Sequence, residues 1–316
     1  MTDLSIKFCG VNFANPFILP SGIITEIPDY KRAVNAGAGG VTLKSVTFAH
    51  REGNPLPRLW KYDHGMLNSV GLRNPGIAKA VVEIKDFINN YQNKSVIIVS
   101  LFSTKVSEFV SLVEKVVPLN PQFIELNLSC PNTTDELGQS LGMEKGGAGR
   151  VVNAVKKVIG KIPVLAKLSP NVKDMDVADI ARECEAEGAD GIVAINSVGP
   201  GMVINIKTKK PYLGNKEGGV TGPGILPIAV RCVYDIYKAV KIPIIGMGGV
   251  SKWQDVVEIM LAGATLVGVG TATYYKGMGI FEQLKKDLIK YIEENNIKNL
   301  TELIGASHQS SVKVKP

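Results

Sequence analysis

Four cysteines and three histidines in 316 residues leave little with which to staple a chain or hold a metal. Cys9, Cys130, Cys184 and Cys232 form no CxxC pair, and His50, His64 and His308 stand at no ligand spacing and read as loop histidines. A disulfide framework, a zinc site and an iron–sulfur cluster carried by this chain are therefore excluded, and reduced thiols in a cytoplasmic setting are expected. No apolar run is long enough to span a bilayer. The opening MTDLSIKFCGVNFANPF also lacks the basic and then apolar plan of a secretory signal, so no membrane partner is expected. No solenoid repeat or low-complexity linker is present. No strand-like run leads into a GxGxxG turn with an acidic residue downstream, which argues against a dinucleotide-binding open sheet. The net charge of +7 is spread over segments such as KKDLIKYIEENNIKN, where acids interleave with the lysines. That pattern reads as a solvated surface, and no nucleic-acid partner is expected. The ending SVKVKP is short and polar and is expected to fray.

At 45% apolar and 21% charged, the chain can bury one large core. Eight β-branched or apolar runs recur: FILPSG (17–22), GVTLKSV (40–46), SVIIVSLF (95–102), FIELNLSC (123–130), PVLAKLSP (163–170), GIVAINSV (191–198), PIIGMGGV (243–250) and TLVGVGTA (265–272). Amphipathic stretches such as DVADIARECEAEGAD lie between them. Continuous apolar strands alternating with helices predict parallel strands covered by helices, and eight such units predict an α/β fold of the (β/α)8 TIM-barrel class. The expected organisation is a single domain over 1–316, with an N-terminal hairpin before the first unit. Residues 47–80 and 199–226 exceed ordinary connections, and because both follow strands they are expected to lie over the C-terminal face.

Chemistry in such a barrel gathers at the carboxyl ends of the strands. Here those ends carry Lys44 and Ser45, then Asn127, Ser129 and Cys130, then Lys167, then Asn196 and Ser197. Apolar surroundings penalise unpaired polar groups, so a ligand with many hydrogen-bonding edges is expected. GMGG (246–249) and GT (270–271) close the last two strands, where small residues let backbone N–H groups reach a phosphate. By themselves they leave open whether that phosphate belongs to a flavin or a sugar. Cys130, in LSCPNTT at a loop tip with lysines nearby, is expected to be a reactive thiol, whereas the other three cysteines read as inert. Lys44 and Lys167 admit two active roles, a Schiff base with a sugar phosphate in an aldolase (through Lys167) or stabilisation of anionic charge, which the presence of two lysines favours, and two structural ones, pairing with Glu125 or snorkelling outward.

Four segments, TLKSVT (42–47), GMLNSVGLRNPG (65–76), ELNLSCPN (125–132) and the stretch from AINS (194–197) through GGVTGPGILPIAVRCVY (218–234) to VGTA (269–272), resemble the dihydroorotate dehydrogenase family over nearly the whole length. The resemblance implies oxidation of (S)-dihydroorotate to orotate in pyrimidine biosynthesis, with FMN as cofactor and Cys130 as the base at C5. It places FMN against Ser21, Gly22, Lys44, Ser45, Asn127, Lys167, Ile195, Gly222, Gly248, Gly249, Gly270 and Thr271. Substrate would meet Lys44, Asn68, Ser69, Val70, Gly71, Leu72, Asn127, Asn132, Asn196 and Ser197, with Lys44 also near the chemistry. Cysteine rather than serine at 130 sets the chain apart from the quinone-linked class. The motifs look like the NAD-linked two-subunit type, which implies a homodimer joined to an FAD and iron–sulfur electron-transfer subunit as a heterotetramer. Two departures are Ser100, where relatives usually carry asparagine near the flavin, and 133–149, which differs from the usual glycine-rich lid. The rival flavoenzymes are dihydropyrimidine dehydrogenase, against which Asn132 speaks, and tRNA-dihydrouridine synthase, whose RNA-binding helical domain does not fit in the stretch after residue 272.

Overall fold

A computed structural model describes residues 2–129, 141–172 and 175–309. Eight strands, Phe17–Leu19, Gly40–Thr42, Val96–Leu101, Phe123–Asn127, Val164–Lys167, Gly191–Ala194, Ile244–Met247 and Leu266–Gly268, pair in parallel and in chain order. The last returns to the first through Val267 opposite Phe17, closing the barrel. All eight predicted runs are thus strands of one closed barrel. Each run is longer than the paired strand, because its final residues leave the ladder to form the rim of the C-terminal mouth.

Helices cover the outside for the reason their spacing suggests. In Ile77–Tyr91 the buried residues are Ile77, Ala80, Ile84, Phe87 and Ile88, the one-sided stripe of a 3.6-residue repeat. Val106–Val116 buries Phe109, Leu112, Val113 and Val116 in the same way. Val177–Ala186 starts where the Asp176 carboxylate accepts from the Ala178 N–H at 3.0 Å, filling one of the donors a helix start leaves open.

The N-terminal hairpin is present as Ile6–Phe8 and Val11–Phe13. Cys9 and Gly10 both take positive φ, 45° and 83°, as the favoured two-residue hairpin turn requires. The hairpin turns Phe8 and Phe13 onto Phe123, with ring centroids 5.9 Å away in each case. Phe8, Phe13 and Phe123 thereby close the end of the barrel opposite the mouth.

The two long connections meet each other. Leu59–Tyr62, Gly65–Asn68, Gly218–Thr221 and Val198–Gly201 form one four-stranded antiparallel sheet, with Gly219 opposite Asn68 and Thr221 opposite Met66. The sheet roofs part of the mouth, the side on which both insertions were expected. Among the described residues no helix is long and apolar enough to cross a membrane. Of the segment 133–149, Leu141–Met143 is a 3-10 turn and Gly147–Lys156 a helix, and 133–140 lies outside the described residues, as does SVKVKP.

Candidate active site

The strand ends surround a cavity of about 1150 Å³ free of protein atoms, measured with its solvent-open mouth. All twelve residues expected at a cofactor line it, from Ser21 and Gly22 after the first strand to Gly270 and Thr271 after the eighth. Of the residues expected at substrate, Lys44, Asn68, Val70, Gly71, Leu72, Asn127, Asn196 and Ser197 line it too. Ser69 does not. Its hydroxyl is buried between the amides of Asn54 and Asn215, accepting at 2.9 and 3.1 Å, because alternation along the chain turns it away from the side Asn68 faces. Cys130 and Asn132 lie outside the described residues.

The polar lining is a continuous network. Asn127 Nδ2 donates to Ser45 Oγ at 3.0 Å, and Ser45 Oγ lies 2.9 Å from Ser100 Oγ and 3.2 Å from Ser21 Oγ. Ser100 Oγ donates to Glu125 Oε1 at 2.7 Å. On the other side Ser129 Oγ donates to Asn127 Oδ1 at 3.1 Å, and Asn196 Nδ2 donates to Ser129 Oγ at 2.8 Å. Ser100 is fully buried and is not part of the cavity lining, so at this position the chain has a hydroxyl bridging two buried groups. Asn171 holds the loop behind Asn196 by donating to the Ser197 carbonyl at 3.0 Å and accepting the Gly199 N–H at 2.9 Å.

Two lysines face the cavity almost wholly buried, Lys44 at 6% exposure and Lys167 at 4%. Among the described residues the Lys167 ammonium has neither a hydrogen-bond nor an ion-pair partner, and the pairing with Glu125 weighed for it is not formed. A buried cation left in that way calls for an acceptor in the cavity.

At the opposite rim Gly248 and Gly249 both have positive φ, 133° and 84°, and a Cβ on Gly249 would stand 2.7 Å from the Leu226 backbone nitrogen. Only glycine permits this turn against the start of the helix Leu226–Ala239. The N–H groups of Gly249, Gly270 and Thr271 donate to no protein acceptor among the described residues, which leaves three donors at one rim for an anion.

Thr221 and Tyr274 also line the cavity, and sequence reading missed both. Thr221 donates to the Met66 carbonyl at 3.1 Å and Tyr274 to the Ile23 carbonyl at 3.0 Å. Thr221 sits beside Gly222 in GGVTGPG, a usable signal, whereas Tyr274 lies in a short helix after the eighth strand and carries none.

Burial pushes the Cys9 thiol up to about 12 and the Cys232 thiol up to about 11, and raises that of Cys184 as well. All three stay protonated near neutral pH, in keeping with the inert role expected of them. Brief iodoacetamide treatment at mildly alkaline pH is expected to modify Cys130 at least about 100-fold faster than these three, checked by peptide mass spectrometry. No group of three or more His, Cys, Asp or Glu suited to a metal exists among the described residues.

Polar residues gathered at and just below one mouth of the barrel, with an anion-ready rim, define a (β/α)8-barrel enzyme. A family model for dihydroorotate dehydrogenase matches residues 3–292. The chain is 41% identical to the dihydroorotate dehydrogenase B (NAD(+)) catalytic subunit of Pyrococcus horikoshii, over 96% of this chain and 97% of that one. The proteins of that name from Methanocaldococcus jannaschii and Brachyspira hyodysenteriae are 38% and 39% identical, over 97% and 98% of this chain and 98% and 100% of theirs. The chain belongs to the dihydroorotate dehydrogenase family, and with that membership the aldolase reading falls away.

Proposed function

We propose that this oxidoreductase, a flavin-dependent dehydrogenase of dihydroorotate by family, seats FMN in the barrel mouth and uses Cys130 to take the C5 proton of (S)-dihydroorotate. The observation that carries the reading is Lys167, a lysine only 4% exposed whose ammonium opens on the cavity without a partner among the described residues. It suits the electron-rich edge of a flavin ring, and the rim of Gly248, Gly249, Gly270 and Thr271 suits the phosphate. Ser21, Gly22, Lys44, Ser45, Asn127, Ile195 and Gly222 would complete the cradle. FMN held there supplies an acceptor for the C6 hydride. As the proton goes to the Cys130 sulfur and the hydride leaves C6, the C5–C6 double bond of orotate forms. Asn68, Val70, Gly71, Leu72, Asn132, Asn196 and Ser197, with Asn127 and Lys44, would hold the pyrimidine ring and its carboxylate, and Ser69 supports their loop from behind.

The relatives are named catalytic subunits of an NAD(+) enzyme, which supports a partner for this chain also. The reading assigns a homodimer with a separate FAD and iron–sulfur subunit carrying electrons to NAD, in the cytoplasm and without nucleic acid, with 1–316 as one FMN-binding domain. Anaerobic dihydroorotate is expected to bleach the visible flavin absorbance of the purified protein within one turnover, while dihydrouracil leaves it. Bleaching by dihydrouracil alone, or by neither, would overturn the assignment.

A further inference from the structure

We propose that Glu125 is a positioning residue for substrate recognition, anchoring a one-way hydrogen-bond chain that sets which edges of the Asn127 and Asn196 amides face the cavity. The proposal rests on the site reading above, in which both amides meet the pyrimidine ring. Glu125 is 1% exposed, two residues before Asn127 on the strand Phe123–Asn127, and therefore points inward one layer below the mouth. A carboxylate has no proton to give, so the single hydroxyl proton of Ser100 is committed to it, at 2.7 Å. Ser100 Oγ then accepts from Ser45, which commits the single proton of Ser45 in turn. Ser45 Oγ is left as an acceptor and must face Asn127 Nδ2, not Oδ1. Ser21 fits the same direction, since its hydroxyl donates to Ser45 Oγ and accepts the Ser45 N–H at 3.1 Å.

The order continues toward the substrate side. Asn127 Oδ1 takes the hydroxyl of Ser129, which leaves Ser129 Oγ to accept from Asn196 Nδ2. Asn196 Oδ1 is thereby turned to the Ser197 N–H at 2.8 Å. The nitrogen and oxygen ends of an amide are nearly alike in shape, so the partners decide which way it lies. In this order the second Nδ2 hydrogen of Asn127 has no protein acceptor among the described residues, and it offers the cavity a donor suited to a ring carbonyl. Two backbone groups, Ser129 N–H on Asn127 Oδ1 at 3.3 Å and Ser197 N–H on Asn196 Oδ1, favour the same orientation. Loss of the carboxylate is therefore expected to weaken recognition and not to abolish it. With glutamine at 125, the amide can present either its oxygen or its nitrogen to Ser100, so the direction of the hydroxyl protons from Ser100 through Ser45 to Asn127 is no longer fixed.

The test is calorimetric titration of the flavin-loaded protein with orotate for wild type, Glu125→Gln, Ser100→Ala and the double variant. Glu125→Gln is expected to raise the orotate Kd about tenfold and Ser100→Ala about fivefold. The double variant should bind no worse than Glu125→Gln alone, because a chain already cut has nothing further to lose. Glu125→Gln is also expected to melt no lower than wild type, since it trades a buried charge for a neutral group of the same shape, and general damage would not give that combination. Orotate binding within twofold of wild type in Glu125→Gln, or two single effects that multiply in the double variant, overturns the proposal. Should Glu125→Gln fail to fold, unchanged orotate binding in Ser100→Ala overturns it alone. A flavin-loaded wild type that gives no heat with orotate overturns the functional reading itself, and this proposal with it.

Discussion

Replacing Cys130 by alanine is expected to slow flavin reduction by dihydroorotate about 10²–10⁴-fold near neutral pH, with the flavin still bound. The size follows from the task. A positioned base lowers the barrel enzyme's barrier only if it is unprotonated at working pH, and a thiol achieves that more readily than the protonated alternatives in reach. The fourth strand ends at Asn127, and Ser129 follows it into the network, buried and bonded on both sides to cavity-lining amides. The next residue in the chain is Cys130. None of the other three cysteines offers a substitute, because burial keeps each protonated. Anaerobic stopped-flow reduction reads the rate directly, and the flavin spectrum before mixing reads retention. Reduction at the wild-type rate in Cys130→Ala would remove the base from this position.

Lys167→Met is expected to move two quantities in opposite directions. Flavin affinity should fall about 100-fold, the cost of removing one partner from a buried charged contact. The flavin-free protein should melt about 2–5 °C higher, because a lysine 4% exposed, whose ammonium has no partner among the described residues, is replaced by an apolar chain of similar length. Fluorescence titration with FMN and thermal denaturation of the apoprotein separate the two effects. A flavin-free variant that melts lower, or a variant that binds FMN as tightly as wild type, would show that Lys167 is not held in reserve for the flavin. The antagonism is informative because a lysine of purely structural use would move both quantities downward together.

The barrel was legible because its signal is local. Each run from FILPSG to TLVGVGTA carries its strand character in four to eight adjacent residues, and the helices between them carry theirs in the repeat of Ile77, Ala80, Ile84 and Phe87. Part of the cavity lining, from Lys44 and Ser45 to Asn196 and Ser197, was legible for a related reason, since a polar residue at the end of an apolar barrel strand has the mouth to face, while Asn68 and its neighbours came only from the family resemblance. Ser69 shows the limit. It sits inside the NSVGL segment and looks equivalent to its neighbours, yet Asn54 and Asn215 claim its hydroxyl. Asn215 is remote in the chain, and nothing near Ser69 announces it. The roof is similar, because the pairing of Gly219 with Asn68 joins two insertions whose contact no local pattern encodes.

Glu125 draws the same line inside the site. From the sequence it is a carboxylate with which either lysine could pair, the structural alternative to their acting on a ligand. In the folded chain Ser100, opposite it on the neighbouring strand, takes that place at 2.7 Å and leaves Lys167 without a partner among the described residues. The sequence by itself determined which residues form strands and helices and which side chains arrive at the mouth, because period and strand-end position are properties of a few consecutive residues. Which of those groups satisfy one another, in which direction each hydroxyl proton points, and which cation is left for a ligand were decided only by the tertiary structure, because each depends on ångström distances between strands that the chain itself keeps far apart.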